Sequence, residues 1–336
     1  MNSSITSKIV IGLCLLCLFA GIISIDNYEP YIKDSKTKKS KVIGSNINKI
    51  AVMELEGEIT TSYESGLFVK ETNAATLLRS LMLAYDDDNI KGVIIRINCP
   101  GGTVAMSQNI YNQIIKLREK KPVIAVLDDV AASGGYYIAS AADRIIAQDG
   151  TLTGSIGVIM SFFDIHTFLK EKLLVDSVVI KSGKFKDIGS MTREITPEEK
   201  ELMQGLIDDS YQQFVNAIIK GRIQRKDNYS VAKTNLEEEI LRENADGRIF
   251  TGRQAQQIGL VDSIGDLDSA EEQITKMAQE KHNNNYSVDL IQYAQKNIFS
   301  DYFVNLSEYG AKSNLSIEKM IPTSVKYSKR PLYLWE

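Results

Sequence analysis

From Lys49 onward, short β-branched runs alternate with longer stretches of helical periodicity, and this constrains the fold more than any other feature of the chain. Ile-Ala-Val-Met-Glu-Leu at 50–55, Gly-Val-Ile-Ile-Arg-Ile at 92–97 and Pro-Val-Ile-Ala-Val-Leu at 122–127 read as buried strands. Between them, residues 73–85 and 103–120 space apolar side chains at helical intervals, for example Ile110, Ile114, Ile115 and Leu117. Strand, crossover helix and strand in succession argue an α/β fold with a mainly parallel sheet. The same reasoning predicts strands at 144–148, 156–161 and 177–181. Beyond Thr196, a good N-cap, the residues Pro197, Glu198 and Glu199 make a first helical turn, and the helix is expected to run past Lys220. Further helices are expected around 235–245 and 268–280, and there is no internal repeat.

Composition narrows the function. With 336 residues, 43% of them apolar, the chain can bury a sizeable core in one large domain with appendages. A net charge of -4 excludes the basic field that nucleic-acid binding needs. Of three cysteines, Cys14 and Cys17 fall in the apolar N-terminal run, which leaves Cys99 alone and no disulfide framework in the body. The two histidines, His166 and His282, stand far apart without metal-ligand spacing, so neither a metal nor another cofactor is expected. His282 reads as part of a polar loop and His166 as a structural residue of a short helix. A serine hydrolase built on this chain would therefore use a base other than histidine.

Residues 9–25 carry no charge and follow Lys8. As a helix at ~1.5 Å per residue they reach about 25 Å, enough for a short bilayer span. An uncleaved signal anchor fits better than a cleaved signal peptide, whose site near Ala20 and Ser24 is poor, or a lipobox, since Leu13 and Leu16 precede the cysteines. The expected organisation is a cytoplasmic 1–8, an anchor at 9–25, a Lys- and Ser-rich linker at 26–48, a body at 49–280 and a C-terminal extension at 281–336. Lys33, Lys36, Lys38, Lys39 and Lys41 follow the span, and on the positive-inside rule alone they would put the body in the cytoplasm.

Four short segments can carry chemistry. In Asn98-Cys-Pro-Gly-Gly-Thr a strand ends in a turn that exposes the N–H groups of Gly101 and Gly102, suited to an oxyanion, although the same residues also make an ordinary strand-to-helix turn. Cys99 reads as a small packed residue. Ser133, in Ala-Ala-Ser-Gly-Gly-Tyr-Tyr-Ile-Ala, stands at a helix N-terminus among small neighbours, either as a nucleophile or as an N-cap worth about 1 kcal/mol. Ser155 is set in Thr-Gly-Ser-Ile-Gly-Val at the expected start of a strand. Lys184 and Lys186, in Lys-Ser-Gly-Lys-Phe-Lys-Asp-Ile, share a face if extended, though exposure is the ordinary fate of both. A lysine acts as a base only when neutral, which requires a drop from ~10.4 toward 7, roughly 4 kcal/mol of built environment.

Together with Asp-Gly-Arg-Ile-Phe-Thr-Gly-Arg-Gln-Ala at 246–255, these blocks occur in an order that resembles the signal peptide peptidase A family, over roughly residues 48–275. The resemblance implies a Ser-Lys dyad serine peptidase on the Clp-protease and crotonase-like superhelix of strand and helix repeats. It implies Ser133 as nucleophile, Lys186 as general base, Ser155 as the hydroxyl that orients the lysine, and Gly102, in the turn with Gly101, and Gly134 as oxyanion donors. It further implies a homo-oligomer whose sites are shared between protomers, and released signal peptides and other small hydrophobic peptides as substrates. The location implied is the inner membrane, single-pass, with the catalytic body on the extracytoplasmic side. Cys99 stands where the family usually has serine. Two other readings remain open at this point: a crotonase-like acyl-CoA enzyme and a non-catalytic membrane scaffold.

Overall fold

The computed structural model describes residues 30–34, 48–60, 73–224, 229–230 and 235–295. The expected anchor at 9–25, most of the linker and the extension from 296 lie outside the described residues. Ile32–Tyr63 and Glu71–Ala294 form one compact unit, which holds the elements and the site below. The other unit, Met1–Tyr31, Glu64–Lys70 and Gln295–Glu336, falls almost wholly outside the described residues. No helix among the described residues is long and apolar enough to cross a membrane.

After a short strand β1 (Pro30–Asp34), the alternation read from the sequence appears as β2 (Lys49–Glu56), α1 (Ala74–Asp86), β3 (Ile90–Cys99), α2 (Val104–Lys120), β4 (Val123–Ala132), α3 (Gly134–Ala139) and β5 (Arg144–Ala147). Then come β6 (Leu152–Gly154), α4 (His166–Lys172), α5 (Pro197–Ile218), α6 (Glu238–Asn244), β7 (Ile249–Thr251), α7 (Gly252–Gln257), β8 (Ser263–Ile264), α8 (Leu267–His282) and β9 (Asp289–Gln295). Strands β9, β2, β3, β4, β5 and β8 lie side by side in that order and pair in parallel. Strand β6 continues from β4 in parallel and pairs antiparallel with β7.

The strands read as continuous apolar runs because both faces of the sheet are covered. On β2 and β3, Ala51, Met53, Leu55, Val93, Ile95 and Ile97 pack with residues of α1 and α2, while Ile50, Val52 and Ile94 pack with Ile274 and Met277 of α8. Helix α5 starts as the sequence indicates: Thr196 and Glu199 form a reciprocal capping box. Its first half leaves Leu202 and Leu206 exposed, whereas Phe214, Val215 and Ile218 are buried. The helix runs into a π-helical turn, Ile219–Ile223, where buried Arg222 meets Asp262 at 2.7 Å and fixes this end to the body.

Five expectations need correction. Residues 156–161 and 177–181 are not strands; only α4 forms between Ser155 and Thr196. Their β-branched content mimics a strand, yet the chain leaves the sheet after β6, and Ile159, Val178 and Ile180 are 90%, 85% and 97% exposed. Ser155 accordingly follows the end of a strand instead of starting one. Lys184 and Lys186 lie in a turn, not in extended chain. His282 is the last residue of α8, closed by Asn283 in the left-handed conformation. Finally, Asp289–Gln295, expected in the extension, forms β9, because Ile291 and Tyr293 alternate into the core.

Candidate active site

Ser133 sits where β4 meets α3, at φ 51° and ψ -118°. A side chain at positive φ is uncommon and costs about 1–3 kcal/mol, so the surroundings must hold it there. They do so through the backbone: the Ser133 N–H donates to the Gly154 carbonyl at 2.9 Å, and its own carbonyl accepts from Tyr137 N–H at 2.8 Å. Although Ser133 occupies the N-cap position of α3, its side chain makes no capping hydrogen bond. The reading of Ser133 as a mere cap therefore fails, and its Oγ is left for another use.

The glycines crowd around this residue. A Cβ on Gly101 would lie 2.9 Å from Ser133 Cβ, 3.2 Å from Ser133 Oγ and 3.0 Å from Gly134 N; one on Gly134 would lie 3.2 Å from Gly102 N. Gly102, at φ 153°, pairs with Ile59 so closely that a Cβ would stand 2.1 Å from the Ile59 carbonyl oxygen. In that bridge Ile59 N–H donates to Gly101 O and Thr103 N–H donates to Ile59 O, each at 2.8 Å, which leaves the Gly102 N–H outside the pairing. Gly134 is the first residue of α3, so its N–H has no acceptor within the helix. Two N–H donors thus stand beside a serine hydroxyl, an arrangement that can hold a carbonyl oxygen as it gains negative charge.

Cys99 lies beneath the turn, fully buried, its sulfur accepting from Gly101 N–H at 3.3 Å. Burial pushes the thiol up to about 11, so it is a packed neutral group. Ser155, at φ 48°, follows Gly154, whose carbonyl holds Ser133, and its own N–H donates to Arg248 O at 2.8 Å. Strand β6 therefore sets Ser155 beside the Ser133 backbone.

Lys186 is elsewhere. It is exposed on the turn from Gly183 to Gly189, and among the described residues its amine has no hydrogen-bond or ion-pair partner, Ser133 and Ser155 included. The two lysines differ here, because the Lys184 amine pairs with Glu198. Sequence reading missed Ile59, which presses on Gly102, and Ser107, 2% exposed, whose hydroxyl lies 2.7 Å from where a Gly134 Cβ would be. A paired glycine signals that some backbone comes close but does not name it. Among the described residues no three His, Cys, Asp or Glu side chains gather to hold a metal.

The model of Peptidase family S49 matches residues 115–282, half of the chain, and the Clp protease model matches residues 56–147. "Putative protease slr0021" of Synechocystis sp. is 41% identical over 234 residues, 70% of this chain and 76% of that one. "Putative signal peptide peptidase SppA" of Enterococcus faecium is 35% identical over 248 residues, 73% of this chain and 68% of that one. "Protease 4" of Haemophilus influenzae is 32% identical over 277 residues, 80% of this chain but 41% of that longer one. Among solved structures, a ClpP1 mutant from Listeria monocytogenes aligns with a TM-score of 0.39 at 18% identity, covering 64% of this chain and 91% of that one. By this family match and these relatives, the chain belongs to peptidase family S49 and is a serine endopeptidase.

Proposed function

We propose that this endopeptidase is anchored to the inner membrane through residues 9–25, with its body on the extracytoplasmic side, and cleaves released signal peptides and other small apolar peptides with a Ser133-Lys186 dyad. The observation that carries the reading is Ser133 itself, held at positive φ with an uncommitted Oγ beside the Gly102 and Gly134 N–H groups. The neutral Lys186 amine takes the proton from Ser133 Oγ as the oxygen attacks the scissile carbonyl carbon. The carbonyl oxygen becomes an oxyanion held by Gly102 and Gly134, and Ser155 orients the amine. Collapse breaks the C–N bond, and the leaving amine takes the proton from Lys186. Water then attacks the acyl carbon, giving a proton to Lys186; collapse breaks the bond from that carbon to Ser133 Oγ, which takes the proton back from Lys186, and the released acid ionises to a carboxylate in solvent.

Lys186 is proposed to come from a neighbouring protomer of a homo-oligomer. Two facts support this: its amine meets no residue of its own site, and the segment that carries it exposes Ile159, Phe163, Leu174, Val178 and Ile180. Covering each such side chain contributes about 1.5–3 kcal/mol, a drive that this protomer does not satisfy alone. The apolar substrate class rests on the name of the Enterococcus faecium relative and on the small residues about Ser133, which let a peptide backbone come close.

The test is hydrolysis of a fluorogenic peptide with a small or apolar residue before the scissile bond, by the full chain in detergent. Wild type is expected to cleave with a rate that rises into the alkaline range, and Lys186→Ala to assemble normally but remain inactive. A fluorophosphonate should label wild type and spare Ser133→Ala. Equal cleavage by wild type and Lys186→Ala would overturn the dyad.

A further inference from the structure

We infer that Arg193 is a positioning residue for Lys186, locking the turn that carries the lysine to the N-terminus of α5. The inference rests on the proposed role of Lys186 as base. A general base must be held within a fraction of an ångström of its working position. Yet Lys186 sits on an exposed loop whose backbone-to-backbone bonds are local: Lys186 N–H to Gly183 O at 3.1 Å, Ile188 N–H to Phe185 O at 3.2 Å and Ser190 N–H to Asp187 O at 3.0 Å. Something outside the turn has to fix it.

The next residue supplies the attachment. The Asp187 side chain is only 12% exposed, against 65% for Lys184 in the same turn. Asp187 Oδ2 accepts from Arg193 Nε and Oδ1 from Arg193 Nη2, both at 2.9 Å, in a two-point fork; Oδ1 also accepts from Lys181 Nζ at 2.5 Å. The other edge of the guanidinium meets Glu199, Nη1 to Oε2 at 2.8 Å and Nη2 to Oε1 at 2.5 Å. Glu199, its side chain 3% exposed, is the acidic half of the α5 capping box and accepts Thr196 N–H at 3.0 Å. One planar cation therefore joins two carboxylates, one rooted beside Lys186 and one in a helix end. Anchoring Asp187 inward leaves Lys186, the residue before it, directed outward.

The ions are balanced as the geometry demands. Arg193 and Lys181 hold the Asp187 carboxyl well below the usual carboxylate range, and Arg193 with Thr196 brings Glu199 down to about 2, so both remain charged near neutral pH. Lysine in place of Arg193 would keep the charge but lose the planar fork that reaches both carboxylates at once.

The experiment compares the full chain with Arg193→Gln, Arg193→Lys, Arg193→Ala, Asp187→Asn and Lys186→Ala, measuring kcat and KM per fluorophosphonate-labelled Ser133 and following assembly by sedimentation. Arg193→Gln and Asp187→Asn are expected to lower kcat about tenfold or more with KM within about twofold, the split of a misplaced base. The double variant should be no worse than either, because both open the same latch. Arg193→Lys should recover little, and added guanidinium ion should restore part of the kcat of Arg193→Ala. If Lys186→Ala is inactive while Arg193→Gln and Asp187→Asn turn over as wild type, the inference falls and the role of Lys186 stands. If Lys186→Ala is fully active, both fall. If the latch variants lose assembly but their assembled fraction turns over normally per labelled serine, Arg193 is purely structural and the inference is overturned.

Discussion

Replacing Gly102 with alanine tests the proposed oxyanion hole directly. The added Cβ would stand 2.1 Å from the Ile59 carbonyl oxygen and 2.7 Å from both Ile59 N and C, all of them backbone atoms that no side-chain rotation can move aside. Carbon and carbonyl oxygen ordinarily approach no closer than about 3.3 Å, so the two backbone segments must part by roughly 1.2 Å. That movement breaks the bonds from Ile59 N–H to Gly101 O and from Thr103 N–H to Ile59 O, each 2.8 Å long and worth about 0.5–1.5 kcal/mol. It also carries the Gly102 N–H off its proposed target. Losing one such donor lowers kcat by about 10²–10³, or ~2.7–4 kcal/mol, with little change in KM. Gly57→Ala is the control: it too places a side chain at positive φ, 83°, but nothing lies within 4 Å of its Cβ. The assay is peptide hydrolysis per labelled Ser133 beside thermal unfolding. If Gly102→Ala keeps kcat within about threefold of wild type, or Gly57→Ala loses as much, the oxyanion assignment is wrong.

If sites are shared around a ring, mixing inactive Ser133→Ala and Lys186→Ala protomers in equal amounts restores about a quarter of the wild-type sites, because each intact site needs one good neighbour of each kind; no recovery after exchange of subunits would place the two residues in one protomer. Cys99→Ser keeps an acceptor for the Gly101 N–H and is expected to leave kcat within about twofold of wild type. The native thiol, neutral below about 11, should resist iodoacetamide around pH 8, and rapid alkylation with loss of activity would contradict its burial. Asp187 and Glu199 are carboxyls depressed in the folded state, so the stability they lend the turn is full above their ordinary values and drains as the pH falls from 4.5 toward about 2. Amide exchange in residues 181–199, corrected for its intrinsic rate, should quicken over that range, and unchanged protection would refute the latch.

What the sequence made legible follows from where each residue finds its neighbours. Strands β2, β3 and β4 could be read because their partners are one crossover away and both faces are buried, which leaves a plain apolar run. Thr196 and Glu199 could be read because a cap is a matter of three residues. Local pattern failed where the neighbour is distant. The β-branched residues at 156–161 and 177–181 indicate surface that calls for cover, but pattern alone does not say whether a strand of the same chain or another molecule supplies it. Among the described residues no strand does. Ser133 showed the same limit on a smaller scale, since cap and nucleophile share one position and only the backbone at φ 51° and the unused side chain separate them. Lys184 and Lys186 are two residues apart with the same side chain, so nothing in their order ranks one over the other. The distinction comes from α5, whose Glu198 takes the amine of Lys184 and whose Glu199, through Arg193, holds the residue after Lys186. In the proposed mechanism, then, the choice of base is made by a helix end that begins eleven residues beyond it and is visible only when the turn and the helix are seen side by side.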